Sequence, residues 1–259
     1  MNVLGLYKLL PRTNCGLCRH RQCMALAVAL ARGEADPDEC PSLPEDVRRQ
    51  LRGGSGQGDW RESLLAALRR EVAALRLGDL AAGLGAELAD GSLSIRCLGR
   101  DYRVGPDGAI ATDGPLAPWM QILLLHYVRT RGAAAISGRW VAFTDLKAAL
   151  VKATSFAREC EEPLRELFDR DVPHAERALE RLGGVRQPGT PAPVAWRVPA
   201  LPRVPVLVLY WPLEEEFPAK LKILFDATAD RFLDVESLTF LIEGLVRNVA
   251  AGPDSAPHD

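Results

Sequence analysis

Four cysteines fall within the first 40 residues of this 259-residue chain: Cys15, Cys18, Cys23 and Cys40, the last followed directly by Pro41. Only Cys97 and Cys160 occur elsewhere. Four thiolates close the coordination shell of one zinc ion or of one cubane iron–sulfur cluster. A segment that gathers such ligands must fold around the group it holds, a tighter constraint than any helix or strand propensity. The chain as a whole is 47% hydrophobic and 25% charged, which predicts an ordinary globular core.

The spacing is C-x2-C-x4-C-x16-C-P. Three candidate ligands sit in one loop and the start of a helix, and the fourth returns from the far end of a helical hairpin. That suits a cubane, in which each iron takes one thiolate and the ligands point inward from different directions. Zinc sites more often pair two short knuckles, or one knuckle with a histidine pair, and no histidine lies near Cys40. The pattern favours iron–sulfur and keeps zinc as the alternative. A cubane with four thiolates carries about −2 in its oxidised form, which is costly to bury alone. Arg12, Arg19, His20 and Arg21 flank the ligands in sequence and are placed to offset that charge, unless they only solvate a small surface.

Several function classes are disfavoured. A net charge of −2 gives no electrostatic reason to bind nucleic acid or an anionic membrane. No apolar run approaches the roughly 20 residues of a spanning helix. Met1–Pro11 is apolar but short, with no small-residue cleavage site after it, so a cytoplasmic, reducing location is expected. There, clustered cysteines ligate metals rather than pair as disulfides. There is no G-x-G-x-x-G, no P-loop and no nucleophile elbow.

The predicted class is α+β, a small helical module followed by a larger mixed domain. Residues 1–52 form the first unit. It has a short helix ending before Pro11, turn and cap chemistry at Thr13 and Asn14, a helix from Cys23 to Ala31 capped by Gly33, and a helix over Pro44–Leu51. Residues 53–59 (GGSGQGD) read as a flexible linker. The second unit, 60–251, opens with a helix over Trp60–Leu77, where Leu64, Leu65, Leu68, Val72 and Leu75 recur at helical spacing. Short strands over Ser92–Leu98, Asp101–Val104 and Ala109–Ala111 predict an antiparallel meander. Helices are expected over Pro118–Arg131, Thr144–Leu150, Pro163–Phe168, His174–Leu182 and Leu238–Val249. Trp140–Phe143 and Val204–Trp211 read as strands, the latter buried. Residues 252–259 read as a disordered tail.

Leu9-Leu10-Pro11-Arg12-Thr13-Asn14-Cys15-Gly16, then Cys18, Cys23, an Ala-rich helix, Gly33-Glu34 and Cys40-Pro41, resemble a known module. It is the four-cysteine [4Fe-4S] domain of the corrinoid iron–sulfur protein large subunit and of the Rnf complex B subunit. The resemblance covers about 50 residues and implies that Cys15, Cys18, Cys23 and Cys40 are the cluster ligands. The chain departs from it at Arg19-His20-Arg21-Gln22, where those proteins carry Gly and Pro or Thr. The stretch Pro205–Asp226, with His126-Tyr127, Ser137-Gly138-Arg139-Trp140 and Asp234–Leu241, resembles an uncharacterised domain family of anaerobic bacteria and archaea. That second resemblance implies no activity.

The expected function is a soluble redox protein that exchanges electrons with a partner protein, in a corrinoid or one-carbon context by family analogy. The alternative is a non-catalytic interaction protein whose cluster, or zinc, is structural. No catalytic residue is predicted. Glu214–Glu216 read as a solvated loop rather than a cation site. His126 reads as a satisfied core histidine, and His174 as an exposed one. Cys97 and Cys160 lack CxxC partners, and the acids beside Cys160 would raise its pKa, so neither reads as a nucleophile. Trp119, Trp140, Trp196 and Trp211 read as core and rim residues.

Overall fold

A computed structural model describes residues 3–20, 22–32, 35–53, 57–215 and 217–251. The chain divides into two compact units, residues 1–66 and 67–259. The class is α+β, with a small helical unit followed by a larger mixed one.

In the first unit α1 (Val3–Leu9), α2 (Cys23–Arg32) and α3 (Glu45–Gly53) enclose a small core. Leu6 and Leu10 come from the α1 turn, Leu26 and Ala27 from α2, and Leu43 and Leu51 from the α3 end. Cys23 and Cys40 complete that core, at 7% and 4% exposure. Six buried aliphatic residues are a thin core, since each contributes about 1.5–3 kcal/mol at most. The Gly33 cap lies outside the described residues, as do residues 54–56 and the tail 252–259. Of the expected linker, Gly53 closes α3 and α4 (Gln57–Ala73) is already helical at Gln57. The division at residue 66 falls inside α4 rather than at the glycine run.

The second unit holds two antiparallel sheets. After α5 (Leu77–Leu84), a four-stranded meander runs β1 (Glu87–Ala89), β2 (Ser92–Cys97), β3 (Arg100–Val104) and β4 (Ile110–Ala111). Its inward residues alternate, with Leu93, Ile95 and Cys97 buried on β2 and Tyr102 and Val104 on β3. Only β1, exposed throughout, has no apolar alternation to betray it.

Next comes α6 (Pro118–Arg129), opened by a proline at its first position and buried along Met120, Leu123, Leu124, Tyr127 and Val128. The second sheet has the order β5 (Trp140–Ala142), β9 (Lys220–Asp226), β8 (Val204–Trp211), β7 (Val194–Leu201), β6 (Val185–Arg186). Every residue of β8 but Trp211 is buried, because both sheet faces are covered. On one face Val206, Val208 and Tyr210 stand opposite Phe225, Ile223 and Leu221. There Tyr210 meets Phe168 of α8 (Glu162–Arg170), and Phe225 meets Phe143 and Phe156. On the other face Leu207 and Leu209 pack with Ala192, Ala195, Trp140, Trp211 and Leu224.

The expected helix over Thr144–Leu150 is instead two 3₁₀ turns, Phe143–Asp145 and Ala149–Lys152. Ala148 between them is left-handed at φ 59°, which no α-helix accepts. The short α7 (Ala153–Phe156) runs through a π-turn (Ala157–Glu161) into α8. Then follow α9 (Val172–Arg181), N-capped by Asp171, and the closing α10 (Val235–Ala251).

Candidate functional site

The N-terminal cysteines are placed by three local devices. Between α1 and α2 the chain has no regular structure, and Arg12, Asn14 and Gly16 take positive φ (59°, 48° and 69°). Asn tolerates that region better than most residues and Gly takes it freely. From this loop the Asn14 side-chain oxygen accepts the Cys23 N–H at 2.8 Å, capping α2 from nine residues away. Cys23 thus opens α2 at the positive end of the helix dipole, where a thiolate is favoured. Cys40 is delivered by a 3₁₀ turn, Pro37–Glu39, with a capping box in which the Asp36 carboxylate accepts Asp38 N–H and Glu39 accepts Asp36 N–H. Arg48 then clamps the exit by donating to the carbonyls of Cys40 (3.1 Å) and Leu43 (3.0 Å).

These devices bring Cys15, Cys18, Cys23 and Cys40 to the wall of one cavity, with His20 and Leu26 beside them. All four carry free thiols. Their settings are unequal: Cys15 is exposed, Cys18 half-buried, Cys23 and Cys40 buried. The Cys15 thiol is held below its usual range by the backbone of Leu17 and the Thr13 hydroxyl. Burial pushes the Cys40 thiol up against the Ser42 backbone hydrogen bond, and negative charge on Cys18, Cys23 and Cys15 pushes the same way.

Soft sulfur donors at a helix N-terminus are the donor set an iron–sulfur cluster takes. The space enclosed between the four thiols is small, about 10 Å³. The four sulfurs are spread round the cavity wall. Among the described residues, no three His, Cys, Asp or Glu side chains are disposed to hold a single metal ion.

The expected charge compensation works out differently. Glu39 pairs Arg19 at 2.6 Å and lies 3.2 Å from His20, so both side chains face that carboxylate. The Asp36 N–H, then Arg19 and His20, hold the Glu39 carboxyl below its usual range. Arg21 lies outside the described residues. Sequence reasoning missed Glu39 and Arg48; the sequence signal was the Asp36…Glu39 capping pattern.

In the second unit Cys97 is buried on β2, and Cys160 is buried in the π-turn, where burial first and then Glu243, Glu159 and Glu161 push its thiol up. Neither joins the four. Glu214 and Glu215 are exposed in the β8–β9 connection, and Glu216 lies outside the described residues. His174 is half-buried rather than exposed, its Nε2 lying 3.1 Å from the Val249 carbonyl of α10.

The residues that carry the second resemblance prove to be joints of the fold. Asp226 is fully buried at the end of β9, where its carboxylate accepts Ser137 N–H and Oγ, Gly138 N–H, and Thr228 N–H and Oγ1 at 2.7–3.1 Å. Burial pushes its carboxyl up, but the Thr228 and Ser137 hydrogen bonds outweigh it and hold the carboxyl below its usual range. Glu161 accepts Ile223 N–H at 3.2 Å, beyond the reach of the short β5, and pairs Lys222 at 2.6 Å. It thereby closes an open stretch of sheet edge.

With the fold and the cavity in view, the chain is an iron–sulfur-type module joined to an α+β domain. Residues 76–248 match the family described as "Domain of unknown function (DUF3786)", and the chain belongs to that family. Residues 10–42, which contain all four clustered cysteines, match the family described as "Putative Fe-S cluster". Relatives of this segment include the gamma subunit of the acetyl-CoA decarbonylase/synthase complex of Methanothermobacter thermautotrophicus. It is 38% identical over 72 residues, 28% of this chain and 14% of that one. The same subunit of Methanocaldococcus jannaschii is 46% identical over 43 residues, 17% of this chain and 9% of that one. The corrinoid/iron-sulfur protein large subunit of Moorella thermoacetica is 44% identical over 48 residues, 18% of this chain and 11% of that one. The chain thus spans only about a tenth of the length of these relatives. No solved structure matches it. The matches support an iron–sulfur cofactor. No helix among the described residues is long and apolar enough to cross a membrane.

Proposed function

We propose that the chain binds one [4Fe-4S] cluster through Cys15, Cys18, Cys23 and Cys40 and exchanges electrons with a partner protein. The observation that carries this reading is the convergence of four free thiols, and no other cysteine, on one cavity inside the segment matched to the iron–sulfur family. When bound, a fully thiolate-ligated cubane supplies one-electron transfer. The chain's own residues set its surroundings. The α2 N-terminus favours negative charge at Cys23, Arg48 fixes the Cys40 carbonyl, and the Arg19–His20–Glu39 cluster lines one flank. Electrons would pass at the Cys15 side, where the wall is exposed and Leu17 stands 69% exposed next to it. The names of the relatives support a place beside corrinoid or one-carbon chemistry; a cytoplasmic location is part of the same proposal.

The test is anaerobic purification, with iron, sulfide and zinc counted and EPR recorded before and after dithionite. About four iron and four sulfide per chain with a reduced S = 1/2 signal is the expected result; zinc without sulfide sinks the reading. Cys15→Ala, Cys18→Ala, Cys23→Ala and Cys40→Ala each lose or convert the cluster, while Cys97→Ala and Cys160→Ala keep full iron content. Equal iron loss in the last two overturns the ligand set.

One observation favours a second, structural reading: Cys23 and Cys40 belong to the module's own thin core. A cluster that staples the fold but shows no reducible couple separates the two.

A further inference from the structure

One cavity of the second unit is lined by charged residues that no family match or resemblance assigns to a ligand. It lies between the C-terminal turn of α6, the turn at Lys147 and Ala148 that joins the two 3₁₀ segments, and the entry to α10, with a volume of about 360 Å³. That is within the range of small-molecule sites, about 300–1,000 Å³. Its wall carries four groups able to bear positive charge, His126, Arg129, Lys147 and Arg231, and two carboxylates, Asp230 and Asp234.

Both carboxylates are already engaged within the fold. Asp234 caps α10 by accepting Ser237 N–H at 2.8 Å, and its other oxygen lies 3.4 Å from His126 Nδ1. Asp230 accepts the Lys147 backbone N–H at 3.0 Å. The basic groups are less committed. Arg129 shares the half-exposed Glu71 at 3.3 Å, and Lys147 and Arg231 make no ion pair among the described residues. His126, held at Nδ1 by Asp234, leaves Nε2 as the ring nitrogen available to the cavity. The segment that carries Lys147 turns at Ala148, which is left-handed at φ 59°.

We propose that this cavity binds a small anion carrying a phosphate or carboxylate group, gripped by Lys147 and Arg231 and contacted by His126. The charge arrangement decides the sign of the ligand: both acids already hold contacts within the fold, whereas Lys147 and Arg231 hold no ion pair among the described residues. The site is independent of the cluster, since all of its residues lie in the second unit.

The test is titration calorimetry of the full chain with two probes, inorganic phosphate and citrate. Wild type is compared with Lys147→Ala/Arg231→Ala and with a charge-matched control, Arg76→Ala/Arg103→Ala, whose residues lie outside the cavity. Tighter binding of phosphate, or of citrate, says which anionic group the cavity prefers. At least one probe binds wild type and control alike and binds the cavity variant at least tenfold more weakly. A His126→Asn chain, which keeps the fold's polar contact at this point, shows a smaller loss for the same probe. Absence of binding to wild type at millimolar probe overturns the proposal. So does equal binding to the wild type and the cavity variant, which would mark the interaction as diffuse surface charge.

Discussion

Asp226 shows how much of this protein rests on single buried polar groups. One carboxylate satisfies three backbone N–H groups and two hydroxyls around the Ser137–Gly138 turn. Asp226→Ala leaves those donors unpaired in the interior and should cost about 3 kcal/mol, read from the midpoint of urea unfolding. The folded-state pKa is depressed, so the stabilisation is present above the unfolded value of about 3.9 and is lost as pH falls through the lower folded value. The gap between wild type and variant should therefore narrow on acidification below about pH 4. A gap that stays constant with pH would mean the carboxylate is not ionised in the fold. At this scale the gathering of the four cysteines at one cavity was legible in advance, because thiol spacing is local. Asp226 was legible only as part of a family resemblance: its partners at Ser137 and Gly138 lie 88 to 89 residues away, and no local pattern encodes them. Glu39 was hidden for a different reason. The sequence displayed Arg19 and His20 as neighbours of the ligands but not the acid that the 3₁₀ turn folds back onto them.

Elements were readable where one face is apolar and unreadable where a contact overrides the pattern. α6, α10, β2 and β8 follow their hydrophobic spacing, whereas β1 and β6 are exposed strands paired to neighbours and carry no such signal. β7 and β9 alternate well, but a proline within the first and three charged residues in the second disguised them. The segment Thr144–Leu150 has helical composition, yet it is bent into two turns by a left-handed Ala148. Packing between elements also fixes where glycine is obligatory. Gly132, at φ +72°, lies so close to Gly83 of α5 that an added Cβ would sit 2.4 Å from its carbonyl carbon. Gly138 has a similar φ of +73°, but nothing stands within 4 Å of an added Cβ. Gly132→Ala should therefore cost about 2–4 kcal/mol, from clash plus backbone strain, and Gly138→Ala about 1 kcal/mol, from strain alone. Thermal melts of the two variants decide the point, and equal shifts would remove the clash from the account.

For the whole molecule, the two units have separate cores: the first is built entirely from residues between Leu6 and Leu51. On the proposed ligation, a core that small is stabilised mainly by the group its four thiols hold. Cys40→Ala, or chelation of the metal under argon, should make residues 3–53 sensitive to brief proteolysis while the five-stranded sheet keeps its amide protection. Unchanged resistance of residues 3–53 would show that the helices alone suffice. The second unit's sheet is assembled in an order that its chain path dictates. β7, β8 and β9 are successive and pair through short connections, whereas β5 is separated from its partner β9 by three α-helices and the strands β6 to β8. During synthesis β5 leaves the ribosome long before β9 exists, and it must wait unpaired while the three later strands form. The Ser137–Asp226 joint can close only once β9 has been made, and until then β5 has no strand to pair with.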